Sequence, residues 1–264
     1  MYLDATFGAG GHSRAIVERG GTVVAFDRDP HVALPPDLAG SVTLVRENFA
    51  AAAEALDRLG IGALDGALFD LGVSSMQFDR AERGFSLAAD GPLDMRMNDA
   101  NGPTAYDLLA RSSEAELADL FFIYGEERQA RRIARAVVAA RASGRLPSGT
   151  LALAKLVSGV VHVRGKRERI HPATRVFQAL RIVVNDELGA LESGLDAAIG
   201  RLRPGARITA ISFHSLEDRI VKRRLRDDDR LVVLTKKPLT PSDAELARNP
   251  RSRSAKLRIA ERAP

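Results

Sequence analysis

The stretch Asp4-Ala5-Thr6-Phe7-Gly8-Ala9-Gly10-Gly11-His12, with Val23-Val24-Ala25-Phe26-Asp27 after it, decides how the rest of this chain is read. An apolar strand runs into a glycine-rich turn, a helix follows, and a second strand ends on a carboxylate. Glycine lets the backbone turn at positive φ and approach a bound nucleotide closely. An acidic residue ending the next strand can accept hydrogen bonds from ribose hydroxyls. The pattern predicts a site for a nucleoside-containing cofactor.

Two features separate the candidate cofactors. The dinucleotide fingerprint G-x-G-x-x-G, counted from Gly8 and Gly10, requires glycine at position 13, where Ser13 stands. Asp4, on the first strand, would repel a pyrophosphate but suits a zwitterion that carries an ammonium group. S-adenosylmethionine is such a ligand, with an amino-acid end, a cationic sulfonium and an adenosine. On these residues alone the plainer alternative stays open, in which Asp4 and Asp27 are strand-end carboxylates of an ordinary strand–helix turn.

Composition sets the outer bounds. With 264 residues, 45% of them hydrophobic, the chain can build one large domain, or one domain with an insertion. It contains no run of 18 apolar residues and no basic segment ahead of an apolar one, so neither a membrane span nor a signal peptide is expected. Cysteine is absent, which excludes disulfides, thiolate zinc sites and cysteine nucleophiles together. The histidines, His12, His31, His162, His171 and His214, show no metal-ligand spacing. These features predict a cytoplasmic, metal-independent protein.

Charge is unevenly divided. Residues 1–103 carry a net −7, 104–170 a net +5, 171–199 a net −2 and 200–264 a net +9. An acidic half joined to two basic segments suits a polyanionic partner, because lysine and arginine neutralise phosphates and release counterions. A generally arginine-rich composition would give the same balance, and the lack of tryptophan leaves few stacking platforms.

Strands are predicted at 2–6, 22–27, 42–46 and 66–71, with helices at 12–19 and 50–59 between them. This alternation calls for a parallel sheet covered on both faces. A loop rich in Gly, Asp and Pro follows from Glu82 to Pro103. Next comes a helical block. Ser113 and Glu116 form a capping box, Gly125-Glu126-Glu127 opens a helix bearing Arg128, Arg132 and Arg135 on one face, and Thr150 caps another. Pro172 opens a long helix whose Val176, Phe177, Leu180, Val183, Val184, Leu188, Leu191 and Leu195 recur at helical spacing. Sheet character returns at 207–213, and more weakly at 231–234 and 256–259. The expected architecture is a doubly wound α/β domain, 1–103 plus 171–264, interrupted by an all-helical insertion at 104–170.

In such sheets ligands bind beyond the carboxyl ends of the strands. The Gly8–His12 turn, Asp27, Asn48-Phe49, Asp70-Leu71-Gly72-Val73-Ser74-Ser75 and Ser212-Phe213-His214-Ser215 fall there. Phe49 can pack on an adenine ring or be plain core. Asp70 can hold a cofactor's amino group or accept a hydrogen bond from a reacting amine. His214 can position a base or phosphate, or be a strand-end histidine satisfied by backbone.

Several blocks carry a resemblance: residues 4–13, Phe-Asp-Arg-Asp-Pro (26–30), Asp-Leu-Gly-Val-Ser-Ser (70–75), Ala-Glu-Arg-Gly-Phe-Ser (81–86), Gly-Pro-Leu-Asp-Met-Arg-Met (91–97), Tyr-Gly-Glu-Glu-Arg (124–128), 171–182, 212–222 and 249–258. They span almost the whole chain and are similar to the bacterial 16S rRNA cytosine-N4 methyltransferases, the RsmH or MraW family. The resemblance implies a class I, Rossmann-like methyltransferase sheet with an inserted helical substrate domain. It implies S-adenosylmethionine as donor and a decoding-centre cytosine of 16S rRNA, in the 30S subunit, as acceptor. By position the family's cofactor contacts fall on Gly10, Gly11, His12, Asp27, Phe49, Asp70 and Gln77. The insertion and the segment 213–222 would face RNA, through Arg128, Arg132, Arg135, His214, Arg219 and Lys222. Asp70 is the expected catalytic acceptor. The chain departs from the pattern in starting inside its first strand, where members usually carry a helical segment, and in its short link between Arg226 and Leu231. A homodimer is left open. Two rival readings are a non-catalytic rRNA-binding assembly factor on the same fold and an NAD(P)-linked oxidoreductase.

Overall fold

Val23-Val24-Ala25-Phe26 is buried along its whole length, as a central strand covered on both faces must be. In a computed structural model that describes residues 1–161 and 171–264, this segment is the second of seven strands. The elements in chain order are β1 (Tyr2–Asp4), α1 (Gly11–Val17), β2 (Val23–Phe26), β3 (Val42–Val45), α2 (Ala52–Arg58), β4 (Leu64–Asp70), α3 (Ser75–Asp79), α4 (Ala105–Arg111), α5 (Glu114–Ile123), α6 (Ala130–Ala142), α7 (Thr150–Val160), α8 (Thr174–Asn185), α9 (Glu187–Arg201), β5 (Leu202–Ser212), α10 (Ser215–Asp227), β6 (Leu231–Val233), α11 (Asp243–Arg248) and β7 (Lys256–Arg262). No helix among the described residues is long and apolar enough to cross a membrane.

The chain forms two compact units, Met1–Gly72 with Leu188–Pro264, and Val73–Glu187. The first holds the sheet, in the order β3-β2-β1-β4-β5-β7-β6. Strands β1 to β5 are parallel, and β7 runs antiparallel to β5 and β6. Connections leave β1 toward β2 on one side and enter β4 on the other, so the β1/β4 boundary is the switch point at which such sheets bind ligands. Alternate residues serve opposite layers. Leu3, Val24, Phe26 and Phe69 pack with Ala52, Ala55 and Leu56 of α2 and with Leu191, Leu195 and Ile199 of α9. Phe7, Val23, Ala25 and Val42 pack with Val32, Leu38 and Ile16.

The second unit is helical, but wider than the sequence reading of 104–170. It begins at Val73, because Phe85, Leu93, Met95 and Met97 of the Gly/Pro/Asp-rich loop join the core built by Leu109, Leu117, Phe121, Ile133, Val137 and Val157. It ends at Glu187, because Val176, Phe177 and Leu180 of α8 belong to that same core. Residues 162–170 of the expected insertion, His162 among them, lie outside the described residues.

Two local expectations are corrected. The long helix after Pro172 is two helices, α8 and α9, separated by Asp186 in the left-handed conformation (φ 47°). Thr150 does not cap α7. Its hydroxyl donates to the Ala89 carbonyl (3.1 Å) and accepts from the Gly91 N–H (3.1 Å), while Asp90 Oδ1 accepts the Leu151 N–H (3.0 Å). The capping box of Ser113 and Glu116 forms at the start of α5 as expected.

Candidate active site

Because β1 to β4 are parallel, the Gly8–His12 turn, Asp27, Phe49 and Asp70 all emerge at one edge of the sheet. The turn is fixed from both sides. Gly8 (φ 54°) and Gly10 (φ 77°) adopt left-handed backbone, and a Cβ on Gly10 would sit 2.8 Å from Phe7 Cζ. Asp27 Oδ2 accepts the Gly8 N–H and its Oδ1 the Asp29 N–H, both at 2.9 Å. Burial pushes the Asp27 carboxyl above its usual range, against those two bonds. A carboxylate fastened in this way at the end of β2 presents its remaining lone pairs in a fixed direction.

Asp4 behaves differently from its sequence reading. It is 0% exposed, accepts Ser13 Oγ at 2.7 Å and the Thr6 N–H at 3.2 Å, and so cannot touch a ligand's ammonium directly. Burial raises its pKa, partly offset by those hydrogen bonds. The same bond explains Ser13. Where a dinucleotide site needs glycine for close packing, this chain has a fully buried serine that ties α1 to β1.

Asp70 closes β4 next to this turn. Its N–H donates to Thr6 Oγ1 (2.8 Å), and its Oδ2 lies 3.3 Å from His12 Nε2. Oδ1 is covered and has no hydrogen-bond partner among the described residues. The side chain is nevertheless 34% exposed, which leaves Oδ2 as the oxygen a ligand meets. The hydrogen bond to Asp70 raises the pKa of His12; burial opposes this, and the charges of Asp70 and Asp4 reinforce it.

Phe49 meets Phe69 edge-on, with centroids 5.7 Å apart and planes at 87°, and packs against Gly194, where a Cβ would come within 2.6 Å of its ring. It is only half-buried, so part of the ring is core and the rest is open. Gly11 is exposed with open space around its Cα. Gln77, in the helical unit, is buried and forms the capping box of α3 with Ser74.

The basic residues divide. Arg132 and Arg135 are exposed on α6, whereas Arg128 is exposed in the turn before it, since the helix starts at Ala130 and not at Gly125. Arg135 lies 3.6 Å from Glu114. On α10, Arg219 and Lys222 are exposed, and Arg223 and Arg226 extend the same face at helical spacing, which the sequence reading had not singled out. His214 is instead turned inward. Its side chain is 8% exposed, its Nδ1 accepts the Glu217 N–H that caps α10, and its Nε2 lies 3.1 Å from the Glu217 carboxylate. The strand-end role fits it, and no open ring edge is left for a base or phosphate. A further cluster went unread: Arg258, buried in β7, chelates Asp218 at 2.7 and 3.2 Å, with Lys256 at 3.4 Å. Burial pushes the Asp218 carboxyl up, but Arg258 and Lys256 outweigh it and hold the group below its usual range.

The sequence profile of the MraW methylase family matches residues 1–263. The chain belongs to that family. Its relatives include the ribosomal RNA small subunit methyltransferase H of Magnetococcus marinus, 50% identical over 99% of this chain and 92% of the relative. The protein of that name from Acidobacterium capsulatum is 51% identical over 99% of this chain and 91% of the relative. The seven-stranded sheet is the class I methyltransferase sheet that the resemblance implied, and the cofactor of this methylase is S-adenosylmethionine. The edge residues fit that ligand. The partly exposed Asp70 carboxylate, one of its oxygens covered and without a partner, lies next to glycine backbone that a side chain would crowd.

Proposed function

We propose that this methylase transfers a methyl group from S-adenosylmethionine to the exocyclic N4 of a cytosine in the decoding centre of 16S rRNA, acting on 30S particles in the cytoplasm. The observation that carries the reading is Asp70: a carboxylate at the switch point, with one oxygen facing outward, beside the glycine turn. When bound, the cofactor supplies a methyl group on a cationic sulfonium. The backbone of Gly10 and Gly11, together with His12, lines its amino-acid end, Asp27 accepts from its ribose hydroxyls, and Phe49 offers an apolar face to its adenine.

A cytosine amine is a weak nucleophile, because its lone pair is delocalised into the ring. The protein must therefore place that nitrogen about 3–3.5 Å from the methyl carbon and accept its N–H as it pyramidalises. Asp70 accepts it. The base must also leave its stack to reach the crevice. Arg128, Arg132 and Arg135 on one unit, and Arg219 and Lys222 on the other, hold phosphates meanwhile. Tritiated-methyl transfer to 30S subunits, with mass spectrometry of the digested rRNA, tests the proposal. Label on a cytosine N4 supports it, and label on another base or ring position overturns it. Full binding without transfer would leave an assembly factor.

A further inference from the structure

Methyl transfer to an amine creates a proton as well as a product. The S–CH3 bond breaks and its electron pair stays on a now neutral sulfur. The nitrogen lone pair forms the N–CH3 bond, and one N–H proton must leave. The crevice thus loses the sulfonium charge at the moment a proton appears. Its surroundings are acidic: Asp70 from β4 faces this place, Asp27 ends β2 close by, and the buried Asp4 adds its charge from within the turn without reaching the crevice.

His12 is the group placed to answer both changes. Its Nε2 stands 3.3 Å from Asp70 Oδ2, the oxygen open to a ligand, and its ring is 47% exposed, so one edge meets the carboxylate while the remainder reaches water. The other cation on α1, Arg14, is turned away to Asp37 at 2.7 Å. We propose that His12 takes, through Oδ2 of Asp70, the proton shed by the methyl-accepting nitrogen, and so keeps the charge of the crevice constant across the reaction. The inference rests on the reading of Asp70 as the N–H acceptor. The proton passes from N4 to Oδ2 and then to Nε2 of a neutral imidazole whose own proton is on Nδ1, and the resulting imidazolium returns one proton to solvent from its exposed ring. His12 is a positioning residue in this scheme, since it acts on the substrate only through Asp70.

A neutral His12 is therefore required in the donor complex, and a protonated one suits the product complex. In the free protein the imidazole should titrate above its ordinary value of 6.5, because Asp70 and Asp4 favour its cation. Donor binding should then expel a proton. Below the His12 pKa the affinity for S-adenosylmethionine should rise with pH, by up to about tenfold per unit. The affinity for S-adenosylhomocysteine, which lacks the sulfonium, should rise far less.

The test is carried out on the intact chain. Imidazole NMR follows His12 in the free protein, with S-adenosylmethionine and with S-adenosylhomocysteine. Calorimetry in two buffers of different ionisation heat counts the protons released by each ligand. Expected are a lower His12 pKa with the donor than with the product analogue, and proton release that disappears in His12→Asn. In single turnover on 30S subunits, His12→Asn should be slower by about 10²-fold, with a flat pH profile where the parent rises. A parent-like thermal unfolding midpoint and far-UV circular dichroism show that His12→Asn is folded, and its rate is compared at saturating S-adenosylmethionine. The same His12 pKa in both complexes, or a His12→Asn variant with the parent's rate and pH profile, overturns the inference. Those results leave Asp70 untouched: only methyl transfer surviving in Asp70→Ala removes the acceptor itself.

Discussion

The glycine turn at the edge of the sheet and the cationic faces of α6 and α10 treat polar groups in opposite ways. In the turn each carboxylate is gripped by nearby chain: Asp4 by Ser13 and Thr6, Asp27 by Gly8 and Asp29. Their positions follow from backbone geometry and burial, and little is left to adjust. On the helices Arg132, Arg135, Arg219 and Lys222 stand on the surface, as does Arg128 in the turn before α6. Exposed ion pairs such as Arg135 with Glu114 contribute only about 0–1 kcal/mol each. A buried, hydrogen-bonded group fails as a unit when it is changed. A solvated cation contributes a fraction and is screened by salt. The first region is built to set a reaction geometry, the second to add up weak attraction.

The sharpest attempt to break this contrast is Asp70→Ala. Loss of a single acceptor at a developing charge should lower methyl transfer by about 10²–10³-fold, while S-adenosylhomocysteine binding stays measurable by calorimetry. Near-normal turnover would move the acceptor elsewhere. Gly10→Ala should come next. Left-handed backbone costs a residue with Cβ about 1–2 kcal/mol, and here the added carbon also meets Phe7 at 2.8 Å and Leu38 at 3.2 Å. Gly20, at φ 83° with nothing within 4 Å, is the matched control. Thermal unfolding should show both variants weakened and Gly10→Ala the more so, and only Gly10→Ala should lose ligand binding. Equal losses would mean that crowding at the turn is unimportant.

What was legible beforehand divides along the same line. Strands β1, β2 and β4 were readable because short apolar runs there end on a carboxylate, and the burial of β2 on both faces follows directly. That Gly10, Asp27 and Asp70 share one edge of the sheet was readable because each ends or follows a predicted parallel strand. The pairing of His12 with Asp70, fifty-eight residues apart, was not, since no local pattern encodes it. Nor was the inward role of Asp4, because a strand-end carboxylate reads the same whether a buried serine or a ligand satisfies it. The break at Asp186 was hidden for a different reason. The apolar stripe continues in phase across it, although Val176 and Leu180 feed one core and Leu191 and Leu195 another. His214 had the spacing of a capping box with Glu217, but histidine is not among the usual N-cap residues.

Within α6 itself the contrast can be measured on one residue type. Arg141 Nη1 donates to the carbonyls of Leu109, Ala110 and Ser112 at 3.0, 3.0 and 2.7 Å and so closes the C-terminal end of α4. Arg141→Ala should destabilise the protein by about 1–3 kcal/mol, since it strands those acceptors, and denaturant unfolding would register it. RNA affinity measured on the folded fraction should keep its salt dependence. Joint replacement of Arg128, Arg132 and Arg135 by alanine should do the reverse. Stability should stay within about 0.5 kcal/mol per surface site, while the slope of log affinity for 30S rRNA against log salt should shrink by about one for each phosphate that is no longer neutralised. An unchanged slope would make these arginines an ordinary solvated face, and would leave attraction for RNA to the face of α10 that Lys222 shares with Arg223 and Arg226.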